Sequence, residues 1–168
     1  TIPVTAVEQP VGLMLDKSRG LVLGPERIVD PANANFTSDT GFWSLDNAQV
    51  TISGGELNFD NPPINTGMQR NDAALISTQG YFEIVVDISS ISSGGLRVYC
   101  GGTLVPIPAS AGIHTIRAFS AGNNYYGIQA TTANTVASVT STSIKLIAGN
   151  HAYQPTTTKR TVLSSRVN

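Results

Sequence analysis

The sequence predicts an all-β protein built as an antiparallel β-sandwich, and three observations lead to that prediction. Of the 168 residues, 40% are hydrophobic and only 12% are charged, with many Ser, Thr, Asn and Gly. This composition suits short strands and turns rather than helical bundles or coiled coils. Eight or nine short segments alternate apolar and polar residues, and turn signals separate them at intervals of about 8–12 residues. No segment shows a convincing helical period.

The clearest alternation lies between Gly80 and Gly102. The first strand there has an apolar face made of Phe82, Ile84, Val86 and Ile88, and a second face made of Tyr81, Glu83 and Asp87. The second strand alternates Leu96, Val98 and Cys100 with Arg97 and Tyr99. Successive side chains of a strand point to opposite faces, so we expect the apolar sets in the core. The intervening SSISSGG has the composition of a hairpin connection, which predicts that the two strands pair.

The same pattern predicts the other strands along the chain. Residues 49–53 and 56–60 are predicted to form a hairpin, because the Gly54-Gly55 pair between them favours a two-residue turn. Residues 61–67 are expected to be a loop, and residues 73–78 a short strand. Four further strands are predicted, at residues 103–107, 112–120, 125–131 and 137–148. In the last two, Tyr126, Ile128, Ala130, Ile144 and Leu146 are expected to point inward, and Tyr125 and Gln129 outward.

The chain divides into three predicted parts. Residues 1–35 contain prolines 3 and 10 and a Gly24-Pro25 breaker, which predicts an extended N-terminal arm that docks on another domain or chain. Residues 36–149 form the predicted sandwich, and residues 150–168 are expected to be an extended C-terminal linker. No apolar run approaches ~18 residues, so we expect no membrane span, and no signal peptide opens the sequence. The abrupt start at Thr1 indicates a piece of a longer protein.

The charges are distributed unevenly along the chain. All eleven Asp and Glu residues lie at or before Asp87, whereas six of the ten Lys and Arg residues follow it. Two interpretations stay open. Interleaved strands can bring the opposite charges together in space, or a basic patch can face an acidic partner or a neighbouring subunit.

The residue pattern does not favour catalysis. Glu83 and Asp87 share a strand face but lie about 13 Å apart along it, too far for the paired carboxylates of most glycosidases. His114 and His151 have no nearby acid and no nucleophile motif. We therefore expect a protein that is not an enzyme. Pairs drawn from the earlier aspartates stay open, although no motif supports one.

Metal, cofactor and nucleic-acid sites are also not indicated. A single cysteine, Cys100, rules out a cysteine-rich metal site. Cys100 lies on the apolar face of its predicted strand, so we expect it to be a small buried residue. Asp39, Asp46 and Asp60 leave a structural calcium site open, against the simpler interpretation that they are solvated turn residues. Six scattered cations do not form the basic stripe that nucleic acid needs. We expect no cofactor and no nucleic-acid partner.

The outward residues of the predicted sheet suit sugar binding. The candidate ligand-binding residues are Arg97, Tyr99, Arg117, Tyr125 and Gln129. Aromatic rings stack on the C–H faces of sugars, and planar polar groups make bidentate hydrogen bonds to their hydroxyls. The alternative is that the tyrosines cover an exposed sheet face or pack on another chain. Trp43 is expected to pack rather than to stack on a ligand.

Two terminal segments have motifs that the alternating strands do not explain. Residues 2–18 read IPVTAVEQPVGLMLDKS, and residues 149–163 read GNHAYQPTTTKRTVL. Both resemble segments of phage and prophage virion proteins, in which the second commonly precedes a lectin-like domain. Thr161 stands where that linker usually has proline.

The region between these segments, with its ISGGELNF, GYFEIVVDIS and SGGLRVYCGG stretches, resembles jelly-roll carbohydrate-binding modules of phage tail-associated proteins. The resemblance implies a jelly-roll sandwich in a virion, at the tail or another surface appendage, which binds a surface polysaccharide or other glycan. It also implies contacts with other virion subunits and a homo-oligomer, with a trimer among the options. A purely structural or oligomerisation module of the virion stays the alternative.

Overall fold

Two antiparallel sheets pack face to face in a computed structural model of the chain, which describes residues 10–11, 13–14, 22–76, 79–148, 152–153 and 161–162. The elements in chain order are β1 (Pro10–Val11), β2 (Leu13–Met14), β3 (Val22–Glu26), α1 (Pro31–Ala34), β4 (Ser44–Leu45), β5 (Val50–Ser53), β6 (Glu56–Asp60), β7 (Gly67–Asn71), β8 (Gly80–Ser93), β9 (Leu96–Cys100), β10 (Thr103–Pro106), β11 (Gly112–Ser120), β12 (Tyr125–Ala130), β13 (Val136–Ala148), β14 (Ala152–Tyr153) and β15 (Thr161–Val162).

The strands form a five-stranded and a six-stranded sheet. The first has the order β10-β9-β12-β7-β4, and the second has the order β11-β8-β13-β6-β5, with β3 added along β13. From β6 to β9 the chain changes sheet at every strand, and it does so again from β10 to β13. This winding between two antiparallel sheets confirms the predicted sandwich of jelly-roll type.

The core lies between the two sheets and is built by the alternation seen in the sequence. From β8 it takes Phe82, Ile84, Val86 and Ile88, and from β9 it takes Leu96, Val98 and Cys100. Tyr126, Ile128 and Ala130 of β12 and Ile144 of β13 complete the same cluster, as predicted, and Leu146 packs against its edge. A buried hydrogen bond of 2.5 Å joins the Tyr126 and Thr142 hydroxyls, one from each sheet.

The predicted pairing within residues 80–102 is wrong. β8 pairs with β11 and β13, whereas β9 pairs with β10 and β12, so the two strands lie in different sheets. β8 continues through the serines to Ser93, and only Gly94 and Gly95 are left for the corner. Thr135 holds that corner, because its Oγ1 accepts from the Gly95 N–H and lies within hydrogen-bond distance of the Gly95 and Thr132 carbonyls. The alternation correctly predicted which side chains of the two strands are buried, but it does not show which strands pair with them.

The other strand predictions divide into correct and incorrect ones. The β5–β6 hairpin forms as predicted, with Ser53 opposite Glu56 and both turn glycines at positive φ, 65° and 80°. The strand predicted at residues 73–78 does not form over its described part, since residues 73–75 are a turn closed by the Leu75 N–H on the Asp72 carbonyl. Residues 77 and 78 lie outside the described residues. The strand that does lie nearby, β7, begins where the sequence predicted a loop to end.

Part of the segment predicted as an arm packs on the sandwich. β3 pairs with β13, with Val22 opposite Ala148, and the Ile28 side chain is buried in the core. The four-residue helix α1 begins after Asp30, whose side chain caps the Ala32 N–H. Outside the sandwich, β1 pairs with β15 and β2 with β14, so the N-terminal and C-terminal segments meet in two short antiparallel ladders. The division of the chain at residues 35 and 149 stays a prediction.

Cys100 is a buried core residue, as the sequence predicted. Burial raises the pKa of its thiol to about 12, so the sulfur stays protonated and unreactive near neutral pH. Within the residues that the structure describes, no helix is long and apolar enough to cross a membrane.

Candidate functional site

Four of the five predicted ligand-binding residues lie together on the outer face of the five-stranded sheet. Arg97 and Tyr99 come from β9, and Tyr125 and Gln129 from β12, which pairs with it. We call these four residues the β9–β12 face. Their positions follow from the alternation, because the residues between them point into the core.

Arg97 is held at one end of this face by two neutral side chains. It lies directly opposite Gln129, whose Oε1 accepts from Arg97 Nε at 3.3 Å and from Nη2 at 3.1 Å. Nη2 also donates to Asn65 Oδ1 at 2.6 Å. The guanidinium plane is therefore fixed, while Nη1 makes no hydrogen bond to any residue that the structure describes.

Asn65 belongs to the site although sequence analysis placed it in an ordinary loop. Its φ of 68° puts it in the left-handed region, and its N–H donates to the Ala130 carbonyl at the end of β12. Asparagine is one of the few residues that tolerate this backbone conformation. An asparagine close before a β-strand was the available signal, but it did not say that the side chain would reach Arg97.

The two tyrosines form a perpendicular pair beside Arg97. The ring centroids of Tyr99 and Tyr125 are 6.4 Å apart, and the ring planes meet at 81°, a geometry that aromatic pairs favour. Asn123 orders both residues, because its Nδ2 donates to the Tyr99 hydroxyl at 3.2 Å and its Oδ1 accepts from the Tyr125 N–H at 2.9 Å. Leu104 lies opposite Tyr99 on β10 and is 47% exposed, which extends the apolar part of the face.

Two glycines lie in the same rows of the sheet. Across the strands, one row runs Arg97, Gln129, Gly67, and the next runs Tyr99, Gly127, Gln69. The backbones approach closely here, since a Cβ added at Gly67 would lie 2.0 Å from the Ile128 carbonyl oxygen. The glycines leave two positions of the face without a side chain.

Arg117, the fifth predicted residue, is not near the other four. It lies on β11 of the six-stranded sheet, so its outer face is on the opposite side of the sandwich. Its Nη2 makes an ion pair with Glu83 Oε2 at 2.9 Å. The prediction that Arg117 joins the site is wrong. The alternation of apolar and polar residues shows that Arg117 points outward, but it does not show to which sheet its strand belongs.

Opposite charges on the six-stranded sheet are neighbours in the strand register. Lys145 lies between Glu26 and Glu83 in the strand register, and Arg117 lies on the far side of Glu83. On this sheet the interleaving of strands brings the acidic and basic halves of the sequence together. This supports the first of the two interpretations of the uneven charge distribution.

A second arginine of the five-stranded sheet, Arg70 on β7, is paired with a carboxylate. Arg70 Nε contacts Asp72 Oδ2 at 2.9 Å, and its guanidinium lies 3.8 Å from the centroid of the Phe42 ring. The Ala74 backbone N–H, and then Arg70, hold the pKa of the Asp72 carboxyl below its ordinary value of 3.8. The pair is therefore charged on both sides at neutral pH, and Arg70 is committed to it.

The described residues show no arrangement that favours catalysis or metal binding. They contain no group of three or more His, Cys, Asp or Glu side chains that could hold a metal ion. The aspartates considered for calcium are engaged by the protein: Asp39 accepts from the Gly41 N–H, Asp46 from Gln69 and Gly67 of β7, and Asp60 from the Asn61 side chain. Glu83 is in its ion pair, and His114 Nε2 contacts the Ser110 carbonyl at 2.7 Å. His151 lies outside the described residues.

Trp43 packs inside the sandwich, as predicted. Its side chain is 5% exposed and its ring lies against those of Phe36, Phe42 and Tyr126. Its Nε1 donates to the Asn33 carbonyl at 2.9 Å. This ring is not available to stack on a ligand.

Comparison with known proteins adds little to this geometry. A scan against models of protein families finds no match to the chain, and neither does a search of curated proteins. Among solved structures, the chain is similar to the CBM35 from Cellvibrio japonicus Abf62, with a TM-score of 0.41 and 15% sequence identity. The match covers 66% of this chain and 86% of that one. A likeness of this size does not indicate the function of the β9–β12 face.

Proposed function

We propose that this protein is a non-catalytic module of a phage tail-associated virion protein, and that its β9–β12 face binds a carbohydrate of the host surface. The observation that supports the binding proposal is the placement of a fixed guanidinium beside a perpendicular tyrosine pair. The virion context is supported by the resemblance of residues 2–18 and 149–163 to segments of phage virion proteins.

The contacts on the face match the chemistry of a sugar. A pyranose ring presents an apolar C–H face, which stacks on an aromatic ring, and an edge of hydroxyls, which needs donors and acceptors. Tyr99 and Tyr125 supply the rings, and Arg97 and Gln129 supply planar polar groups within one strand spacing of each other. All four are anchored on strands, so little conformational entropy is lost when a ligand binds.

Tyr99→Ala is expected to weaken binding of a surface polysaccharide at least about tenfold, since aromatic anchors dominate the energy of binding sites. The fold should remain, because the Tyr99 side chain points away from the core. Glycan arrays and whole-cell pull-down of the chain identify the ligand, and calorimetric titration measures the affinity. Tyr99→Phe is the matched control, because it keeps the ring and loses only the contact with Asn123. If the parent chain binds no glycan at millimolar concentration, this proposal fails.

A second candidate function is a purely structural module, in which the sandwich is a spacer or an oligomerisation unit. The observation that favours it is the pairing of β1 with β15 and of β2 with β14. Isolated two-stranded ladders are marginally stable, and their free edges can accept strands from another copy or from other virion subunits. Light scattering of the chain over a hundredfold range of concentration separates the cases. A mass that stays at one chain throughout would count against this candidate.

A further inference from the structure

We propose that the β9–β12 face is selective for sugars that carry a carboxylate, such as uronic acids, and that Arg97 reads this charge. The proposal rests on the carbohydrate-binding function proposed above and narrows it to one class of ligand. It follows from the lack of a counter-ion at Arg97 among the residues that the structure describes.

Among the described residues, the hydrogen-bond partners of Arg97 are neutral. Its two partners are the amide oxygens of Gln129 and Asn65. The ion pairs among the described residues are Arg70 with Asp72 and Arg117 with Glu83, so Arg97 has no carboxylate within ion-pair distance there. Two amides hold the plane of the guanidinium, and Nη1 has no hydrogen-bond partner in the described ranges of the chain.

The carboxylate that shares this outer face is Asp46, and it is engaged elsewhere. Its Oδ1 accepts from Gln69 Nε2 at 2.6 Å, and its Oδ2 accepts from the Gly67 N–H at 3.2 Å. Neither of these oxygens contacts Arg97, and Asp46 forms no ion pair within the part of the chain that the structure describes. Asp46 is thus held by β7 and is not a direct counter-ion of Arg97.

A carboxylate is the group that this arrangement fits best. A guanidinium and a carboxylate carry opposite charges, so a sugar acid gains a Coulombic attraction from Arg97 that a neutral hydroxyl lacks. A single positive charge also matches a carboxylate better than a phosphate monoester, which carries about −1.5 to −2. The tyrosine rings next to Arg97 would then take the C–H face of the same sugar residue.

Asn65 and Gln129 act as positioning residues for the guanidinium. A mobile arginine loses side-chain entropy when it binds, whereas one held in place does not. The Asn65 amide oxygen accepts from Arg97, and the Asn65 backbone lies in the left-handed region, with φ at 68°. Asn61 has the same backbone conformation, with φ at 51°, but its side chain donates to Asp60 instead of contacting Arg97.

The test uses matched pairs of polysaccharides that differ only at the carboxylate. The chain is titrated with polygalacturonate, alginate, hyaluronan and polysialic acid, and with the carboxyl-reduced form of each. At least one acid should bind, and its carboxyl-reduced form should bind at least about tenfold more weakly. Arg97→Gln should remove that difference and change the affinity for the reduced form less than threefold. Arg117→Gln, on the opposite sheet, should change neither affinity.

Three outcomes would overturn the proposal, and they are distinguishable from one another. If acid and reduced forms bind equally, or if only neutral glycans of a wider array bind, the carbohydrate-binding function stands and the selectivity is wrong. If a phosphodiester polymer such as a teichoic acid binds more tightly than every carboxylated polymer, the class of anion is wrong. If no polysaccharide binds at millimolar concentration, the proposed function fails and the selectivity fails with it.

A second pair of variants keeps the test independent of folding. Asn65→Gly removes the amide but suits the left-handed backbone, so the melting temperature should not fall. The preference for the acid over its reduced form should fall about threefold, in line with one lost hydrogen bond to a positioning residue. Asn61→Gly should keep the full preference. Equal preference in the two variants would show that Asn65 has only a structural role.

Discussion

Trp43→Ala is expected to lower the free energy of unfolding by about 4 kcal/mol, the range found when a large buried aromatic is truncated. The change leaves a cavity between the rings of Phe36, Phe42 and Tyr126. It also removes the hydrogen bond that ties β4 to the segment of α1 through the Asn33 carbonyl. Urea denaturation followed by circular dichroism measures the loss, since Trp43 is the one tryptophan in the sequence and its fluorescence is lost with it.

Trp43→Phe is the control for this prediction. It keeps an aromatic ring in the cluster and removes the indole N–H, so the expected loss is smaller, about 2 kcal/mol. A loss below about 1 kcal/mol for Trp43→Ala would be outside the range for a buried aromatic. That result would mean that the cluster around Trp43 repacks without a cavity, and the description of this end of the core would be wrong.

Gly67→Ala is expected to cost about 3 kcal/mol, at the upper end of overpacking effects. The added Cβ would lie 2.0 Å from the Ile128 carbonyl oxygen and 2.8 Å from the Gln129 Cα, both of which are backbone atoms. β7 and β12 must therefore move apart, and Gln129 moves with its strand. Because Gln129 holds Arg97, the affinity for ligand should fall together with the stability.

Gly80→Ala separates this effect from the general cost of removing a glycine. A Cβ at Gly80 meets only the Leu146 Cδ1 atom, at 3.3 Å, and the end of a leucine side chain can give way. Its melting temperature should lie within a few degrees of the parent, whereas that of Gly67→Ala should fall by about 10 °C or more. Equal melting temperatures for the two variants would contradict the close approach of β7 and β12.

The sequence predicted the faces of the strands better than their neighbours. Period-two alternation identified the buried residues of β8, β9 and β12, because each strand hides one face whichever sheet it joins. It could not show that β8 and β9 belong to different sheets, because pairing depends on contacts that are distant in the sequence. The β5–β6 hairpin was predictable because a two-residue glycine turn leaves only the adjacent strand as a partner.

The candidate site shows the same division. Arg97, Tyr99, Tyr125 and Gln129 were correctly placed on outer faces, and the adjacency of β9 and β12 brings them together. Arg117 was misplaced because parity alone cannot distinguish the outer faces of two sheets. Asn65 was missed because its role depends on a loop conformation and on a strand that follows about 65 residues later. Sequence patterns identify outward side chains, but the folded register decides which of them meet.

The antiparallel pairing of the two terminal segments has a mechanical consequence. β1 and β2 lead into the sandwich while β14 and β15 lead out of it, so tension between the two ends opens these ladders one residue pair at a time. The next contact under load is β3 against β13, starting at Val22 and Ala148, and it is also pulled open rather than sheared. β13 is held by β8 as well, so the load must rise before the sandwich itself yields. A domain attached in this way extends in small steps under tension while its β9–β12 face stays intact.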